Sequence, residues 1–351
     1  MRPIVVRRPG TAVPAMLLAL LFAAGCTGAG ASPSPTAAPA TPVSTAAVTE
    51  APSPSPTAPA FPAAITDDEG TAVTISAQPK KIVSLTPAAT EILYAIGAGP
   101  SVVGKVEDIA SYPPAAASIP VVATYKGVDV EKIVSLGADL VISGGAAFGQ
   151  GDADDQLRKA NIPVVVVGPT TTSGVLKDIR FVGQATGESA NASALADAMS
   201  TAFATVQSLT AGVAHPKVFY ETGNDPALYG IADGSLYAEM ITLAGGTPIT
   251  TGSTTNYEEP LEKLVAANPD IILLGDAAYG VTADQVKKRA GWGTIAAVQD
   301  GAIFPVDDTV ITRPGPRLLA GLLSLLTAIH PEIVVPSLPP LSLGGAAAPT
   351  P

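Results

Sequence analysis

The sequence predicts an α/β protein made of two similar lobes with parallel sheets, joined by one long rigid helix. Three observations carry this expectation. A twelve-residue segment occurs twice, as EKIVSLGADLVI from Glu131 and EKLVAANPDIIL from Glu262, with Glu, Lys, one Val and Asp identical and the other apolar positions still apolar. Short apolar runs alternate with helical stretches, the pattern of parallel strands covered by helices. Finally, Ser189 to Ala211 reads as one unbroken helix between the halves, bounded by Gly187 and by Gly212 with Pro216, and its 23 residues would extend roughly 35 Å at helical rise.

The order of elements follows from local chemistry. Residues 1–25 read as a signal peptide: Arg2, Arg7 and Arg8 form a basic start, and Ala12 to Ala24 is apolar but too short for a permanent span. Ala23-Ala24-Gly25 precedes Cys26, the only cysteine, which resembles a bacterial lipobox in which that thiol carries a lipid, although Ala23 stands where Leu is usual. Residues 26–62 are Ala, Pro, Ser and Thr with nine prolines and Glu50 as the only charge, the composition of an extended surface tether. The N-terminal lobe is expected over 63–187. Lys81 to Leu85 is a buried strand there, and Thr86 and Pro87 cap and start a helix over Ala89 to Ile96. A strand at Val102, a Tyr112-Pro113-Pro114 turn, a strand at Val121-Val122 and the helix of Glu131 follow. Next come the strand Leu140–Ser143, a helix from Asp154 to Ala160 and the strand Val164–Val167.

The interlobe helix is placed within 188–214 and the C-terminal lobe over 215–333. In that lobe Val218–Tyr220 is a strand and Ser235 to Leu243 a helix stopped by Gly245-Gly246. The helix of Glu262, the strand Ile271–Leu274, a helix near Ala283 to Arg289, the strand Ile303–Val306 and a last helix over Leu318–Ile329 complete it. Residues 334–351 form a Pro- and Gly-rich tail expected to lack structure.

Composition bounds the function. The formal charge of −11 becomes −14 once the three signal arginines are removed, and an acidic chain without a basic stripe repels nucleic acid. Gly99 to Lys105 resembles a phosphate-binding loop, but Val106 stands where Ser or Thr is needed and the segment precedes a strand, so it is rejected. His215 and His330 are the only imidazoles, both next to proline at element ends, which excludes a dedicated zinc or manganese site. The Asp152, Asp154, Asp155 cluster reads as a solvated helix start, and no catalytic constellation emerges. What the residues favour is a binding cleft, because ligands of open parallel sheets lie outside the carboxyl ends of the strands. The loops there hold Thr86-Pro87-Ala88, Tyr112, Tyr125, Ser143 to Phe148, Tyr220, Tyr229, Asp276 to Tyr279 and Asp307 to Arg313, an inventory suited to a large, flat, partly polar ligand. The repeated Glu131 and Glu262, exposed at helix starts, fit either a docking surface or acids favoured by the helix dipole.

The stretches KKIVSLTPAATEILYAIGAG, SYPPAAASIPVV, GVDVEKIVSLGADLVIS, LVAANPDIILLGD and RPGPRLLAGLLSLLTAIHPE resemble the bacterial ABC-transporter solute-binding proteins for vitamin B12, ferric siderophores and haem, in the family's order from Pro79 to Pro331. The resemblance implies two Rossmann-like lobes bridged by one helix with the ligand cleft between them. It further implies delivery of an iron chelate or cobalamin to a permease dimer and its ATPase by a monomer on the outer face of the cell membrane. No cofactor is intrinsic; the metal chelate is the cargo. Glu131 and Glu262 match the glutamates that meet permease arginines, Thr86, Pro87, Tyr112, Tyr125, Tyr229 and Arg313 are the expected ligand contacts, and Cys26 is the lipid site. Against the B12-binding members, Tyr125 falls where Trp is found, while Ser143 and Val310 fall where aromatics are expected. Arg313 suits an anionic ferric siderophore, and haem would depend on Tyr. An enzyme of chelatase type on the same bilobal fold, or a surface sensor or adhesion module, are the other classes this architecture allows.

Overall fold

The computed structural model describes residues 61–338 and 341; the signal, Cys26, nearly all of the tether and most of the tail lie outside them. Chain order begins with a hairpin, β1 (Ala63–Thr66) and β2 (Ala72–Ile75), then β3 (Ile82–Ser84), α1 (Pro87–Ala95), β4 (Val102–Val106), β5 (Val121–Thr124) and β6 (Gly127–Val128). It continues through α2 (Val130–Ser135), β7 (Leu140–Ser143), α3 (Gly151–Lys159), β8 (Val164–Val166), α4 (Thr172–Thr186) and α5 (Ser189–Thr210). The second half runs β9 (Lys217–Glu221), α6 (Leu236–Leu243), β10 (Thr247–Ile249), α7 (Leu261–Ala267), β11 (Ile271–Leu274) and α8 (Ala283–Val286). It ends with α9 (Ala296–Asp300), β12 (Ile303–Pro305), α10 (Asp308–Ile311) and α11 (Leu318–Ile329).

Two sheets form the lobes, ordered β6-β5-β4-β3-β7-β8 and β10-β9-β11-β12. The run β4-β3-β7-β8 and the whole second sheet share one connectivity and are parallel throughout, so the duplicated segment marks a duplicated unit. In each copy the lysine of Glu-Lys turns back on the lobe: Lys132 Nζ donates to the Val121 carbonyl and Lys263 Nζ to the Thr250 carbonyl, both at 2.8 Å. Two features are not parallel. β6 pairs antiparallel with β5, and β1 pairs antiparallel with β2.

Helix starts obey the capping rules. Thr86 accepts from the Ala89 N–H at 3.1 Å with proline in the first turn, and Asp129 caps α2 at the Lys132 N–H at 2.9 Å. The connector α5 buries Ala192, Leu195, Ala196, Met199, Ala202, Phe203 and Val206 on one face. It packs on α4 of the first lobe and on α6 and α11 of the second, and a single apolar core runs beneath it through both lobes. Gly183 lets α4 approach α5 closely, since a Cβ there would lie 2.2 Å from Ala192 Cβ. The connector is therefore a core element rather than an exposed strut.

Candidate functional site

A cleft of about 730 Å³ opens where the carboxyl ends of the two sheets face each other. The first lobe lines it from the ends of β3, β7 and β8, with Thr86-Pro87-Ala88, Ala147-Phe148 and Val167 to Thr170. The second lobe supplies the start of α6 (Ala232 to Tyr237), Thr254 and Tyr257 before α7, and Thr312 to Pro314 after α10.

Apolar and aromatic groups dominate these walls. Phe148 is 54% exposed and Tyr257 47% exposed, large rings left uncovered at the cleft mouth. Phe148 lies across Gly144, where a Cβ would come within 2.6 Å of its ring. Tyr237 stands edge-on to Tyr220 at 5.5 Å, and Tyr220 donates to Asp308 Oδ1 at 2.8 Å. Burial and the nearby Asp308 raise the pKa of both phenols, so they act as neutral hydroxyls.

Behind Arg313, a buried ionic cluster joins the lobes. Arg313 donates to both carboxylate oxygens of Asp108, at 3.0 and 2.6 Å, and stands 3.6 Å from Glu91 Oε1. Arg317 Nη2 donates to Glu91 Oε1 at 2.6 Å, and its guanidinium stacks 4.2 Å from the Tyr112 ring centre. Burial acts to raise the Asp108 carboxyl, yet the Arg313 bonds and the Ala110 N–H hold it below its ordinary range. For Glu91 burial wins, and its carboxyl is raised despite both arginines. A second link ties α4 to α6: Glu239 accepts from the Thr172 N–H and hydroxyl, both at 2.7 Å.

One lining acid stands apart. Asp178 is fully buried on α4 and neither of its carboxyl oxygens has a hydrogen-bond partner. Burial and the adjacent Asp68, itself held by Lys177 and the Gly168 N–H, push Asp178 up to about 8. In the second lobe, burial and Glu221 push Asp276 up to about 7, with Arg289 bound to Glu221 by two 2.6 Å contacts.

Thr86, Pro87 and Arg313 of the sequence-derived set line the cleft, although Thr86 Oγ1 is occupied in capping α1 and Arg313 is already paired. The three tyrosines of that set are not among the residues that line the cleft. Tyr112 packs on Arg317 with its hydroxyl buried and unpartnered. Tyr125 is 90% exposed in the turn after β5, two strands away from β3 in the sheet order. Tyr229 is fixed by backbone pairing with Gly223 and Glu258. The aromatic residues that do line it are Phe148, Tyr237 and Tyr257. The long excursion from β9 to α6 explains Tyr229, because that loop returns to the cleft only at its end, near Ala232.

Glu131 and Glu262 are exposed at the starts of the equivalent helices α2 and α7, and neither makes an ion pair among the described residues. His330 is buried between the Gly245 carbonyl at 3.1 Å and Glu332 at 2.9 Å, and His215 is exposed in the loop before β9. The aspartate cluster departs from its reading as a solvated helix start: Asp152 and Asp155 are exposed, but Asp154 is buried, accepts from Ser143 at 2.7 Å and is pushed up to about 6 by burial. Among the described residues no group of three or more His, Cys, Asp or Glu is placed to hold a metal.

Comparison with known proteins adds independent findings. Residues 82–310 match the family described as periplasmic binding protein. The chain is 34% identical over 265 residues to the uncharacterized ABC transporter substrate-binding lipoprotein YvrC of Bacillus subtilis, covering 74% of this chain and 83% of that protein. It is 27% identical over 261 residues to the vitamin B12-binding protein of Salmonella typhimurium, covering 73% and 92%. Among solved structures, the apo periplasmic heme-binding protein RhuT from Roseiflexus sp. RS-1 superposes with a TM-score of 0.62 at 27% identity, over 72% of this chain and 99% of that one.

Proposed function

The chain belongs to the periplasmic binding protein family of ABC-transporter substrate-binding proteins, and on that premise we propose that it captures a large metal chelate (a corrinoid, haem or a ferric siderophore) in the interlobe cleft. It works outside the cytoplasm and hands its cargo to an ABC permease and its ATPase. One observation carries the choice of ligand size: a 730 Å³ cleft flanked by the exposed rings of Phe148 and Tyr257 and by Tyr237, since flat ligands bury their faces against aromatic walls. Thr86, Pro87 and Arg313 belong to this ligand site in our reading.

Delivery rests on Glu131 and Glu262. They project from matched helices of matched lobes, and the neighbouring lysines are spent on backbone carbonyls, so each acid is left to meet a permease arginine. Cys26 is the proposed lipid site, which holds a monomeric body on the outer face of the membrane. The direct test of ligand class is thermal unfolding of the purified protein with cyanocobalamin, haemin and ferric siderophores. A true cargo at 100 times its dissociation constant adds about 2.7 kcal/mol of stability. No stabilisation by any of them would remove the chelate reading.

A further inference from the structure

We propose that the cleft selects its cargo by charge: it takes a large, flat chelate with no net negative charge and excludes polyanionic chelates of similar size, because its lining cation is already neutralised by carboxylates of the opposite lobe. The inference rests on the chelate-binding reading above and narrows it.

Arg313 is the only Lys, Arg or His among the described residues lining the cleft. Its two terminal nitrogens are both engaged by Asp108, and Glu91 stands 3.6 Å away. Asp108 is itself anchored, accepting from the Ala110 and Tyr112 N–H groups at 2.9 and 3.2 Å. An anionic ligand that took Arg313 would strand a carboxylate whose side chain is 3% exposed, so the exchange would trade one ion pair for another and leave a buried charge uncompensated.

The remaining ionisable lining groups, tyrosines aside, are acids. Asp233 is half-buried and makes no ion pair among the described residues, and Asp178 is buried with Lys177 Nζ 3.8 Å from its Oδ1. Helices α1 and α6 also point their N-termini at the cleft, but Thr86 and Ser235 side chains already accept from their first turns. Those N-termini by themselves favour negative charge, and beside α6 the acid Asp233 opposes a full anion. The net charge of −11 over the whole chain acts in the same direction at longer range.

The experiment is equilibrium titration of the full chain with two pairs of similar size and different charge: cyanocobalamin against its monocarboxylates, and the uncharged ferric trihydroxamate ferrichrome against a trianionic ferric tricatecholate. On whichever scaffold binds, the uncharged member is expected to bind on the order of tenfold more tightly or better. Equal or tighter binding of the anionic member would overturn the charge selection while leaving chelate capture intact. No binding by any probe would overturn chelate capture and this inference with it. Asp108→Asn frees Arg313, and Asp233→Asn removes the uncompensated acid. Each folded variant should gain about tenfold in affinity for the anionic member and little for the uncharged one. Failure of both to gain would overturn the electrostatic explanation.

Discussion

Arg317→Met removes one partner of the buried pair that ties the lobes together behind Arg313. Arg317 and Glu91 are 8% and 2% exposed and meet at 2.6 Å. Both charges have given up hydration to reach this position, so the intact pair adds little net stability. Deleting one leaves the other buried and costs about 3–5 kcal/mol. Arg313 still lies 3.6 Å from the same Glu91 oxygen, which draws the expected cost to the lower end, about 3 kcal/mol. The lost stacking on Tyr112 at 4.2 Å adds about 1 kcal/mol. The sign with pH follows from Glu91, whose carboxyl burial already raises. Without Arg317 it rises further, and a group with a raised folded pKa is favourable below its unfolded value and loses that contribution as pH climbs through the folded one. Urea unfolding should therefore show the largest loss near pH 8 and a smaller one near pH 5, and Glu91→Gln added to Arg317→Met should recover much of it. A loss below about 1 kcal/mol, or one that stays the same across that range, would refute the buried-pair account.

Asp178 makes a second pH prediction. With its folded value near 8 against an ordinary 3.8, the native state keeps a proton the unfolded chain has lost. Stability then falls as pH rises toward 8, by at most about 1.4 kcal/mol per pH unit. Asp178→Asn should flatten that slope in denaturant titrations, and an unchanged slope would contradict the assignment. Tyr112→Phe should cost nothing or stabilise by up to about 1 kcal/mol, because the hydroxyl it removes is buried without a partner; a clear loss in calorimetry would show that the hydroxyl is satisfied. Cys26→Ser should abolish lipid labelling and release the protein from membranes, and unchanged membrane fractionation would remove the lipid assignment.

Much of the fold is legible because its signals are local. Thr86-Pro87 announces the start of α1, and the strands at Leu140–Ser143 and Ile271–Leu274 are short, fully buried and mainly apolar runs with the observed bounds. Helix α11 over Leu318–Ile329 likewise has the expected bounds. The missed hairpin β1–β2 alternates buried and exposed residues around a turn with Gly70 at φ 79°, a period-two pattern hidden by its small alanines. Helix α4 has a weak local signal because it opens on Thr, Ser and Gly, and its start becomes evident only from Thr171 accepting from the Gly174 N–H. The cleft was less legible. Strand ends give the right loops, but which loop reaches the cleft depends on strand order, and that order puts Tyr125 two strands away from the centre. The Glu91–Arg317 and Asp108–Arg313 pairs join residues more than two hundred positions apart, and no local pattern couples them.

In our reading a chelate held between the lobes is delivered to an importer by two matched acids, Glu131 and Glu262. The most direct measurement is ATP-driven uptake into proteoliposomes carrying the permease dimer and its ATPase, using fully loaded wild-type protein and a Glu131→Ala/Glu262→Ala variant loaded equally. Exposed substitutions change stability by only about 0.5 kcal/mol, so the variant should fold and hold its chelate as wild type does. Charge-assisted contacts at both lobes fix orientation and speed encounter. Uptake should therefore proceed with the wild type and fall sharply with the variant, and higher salt should draw the wild type toward the variant's rate. Equal uptake by the two loaded proteins would contradict the docking account, and no uptake by loaded wild type would contradict delivery itself.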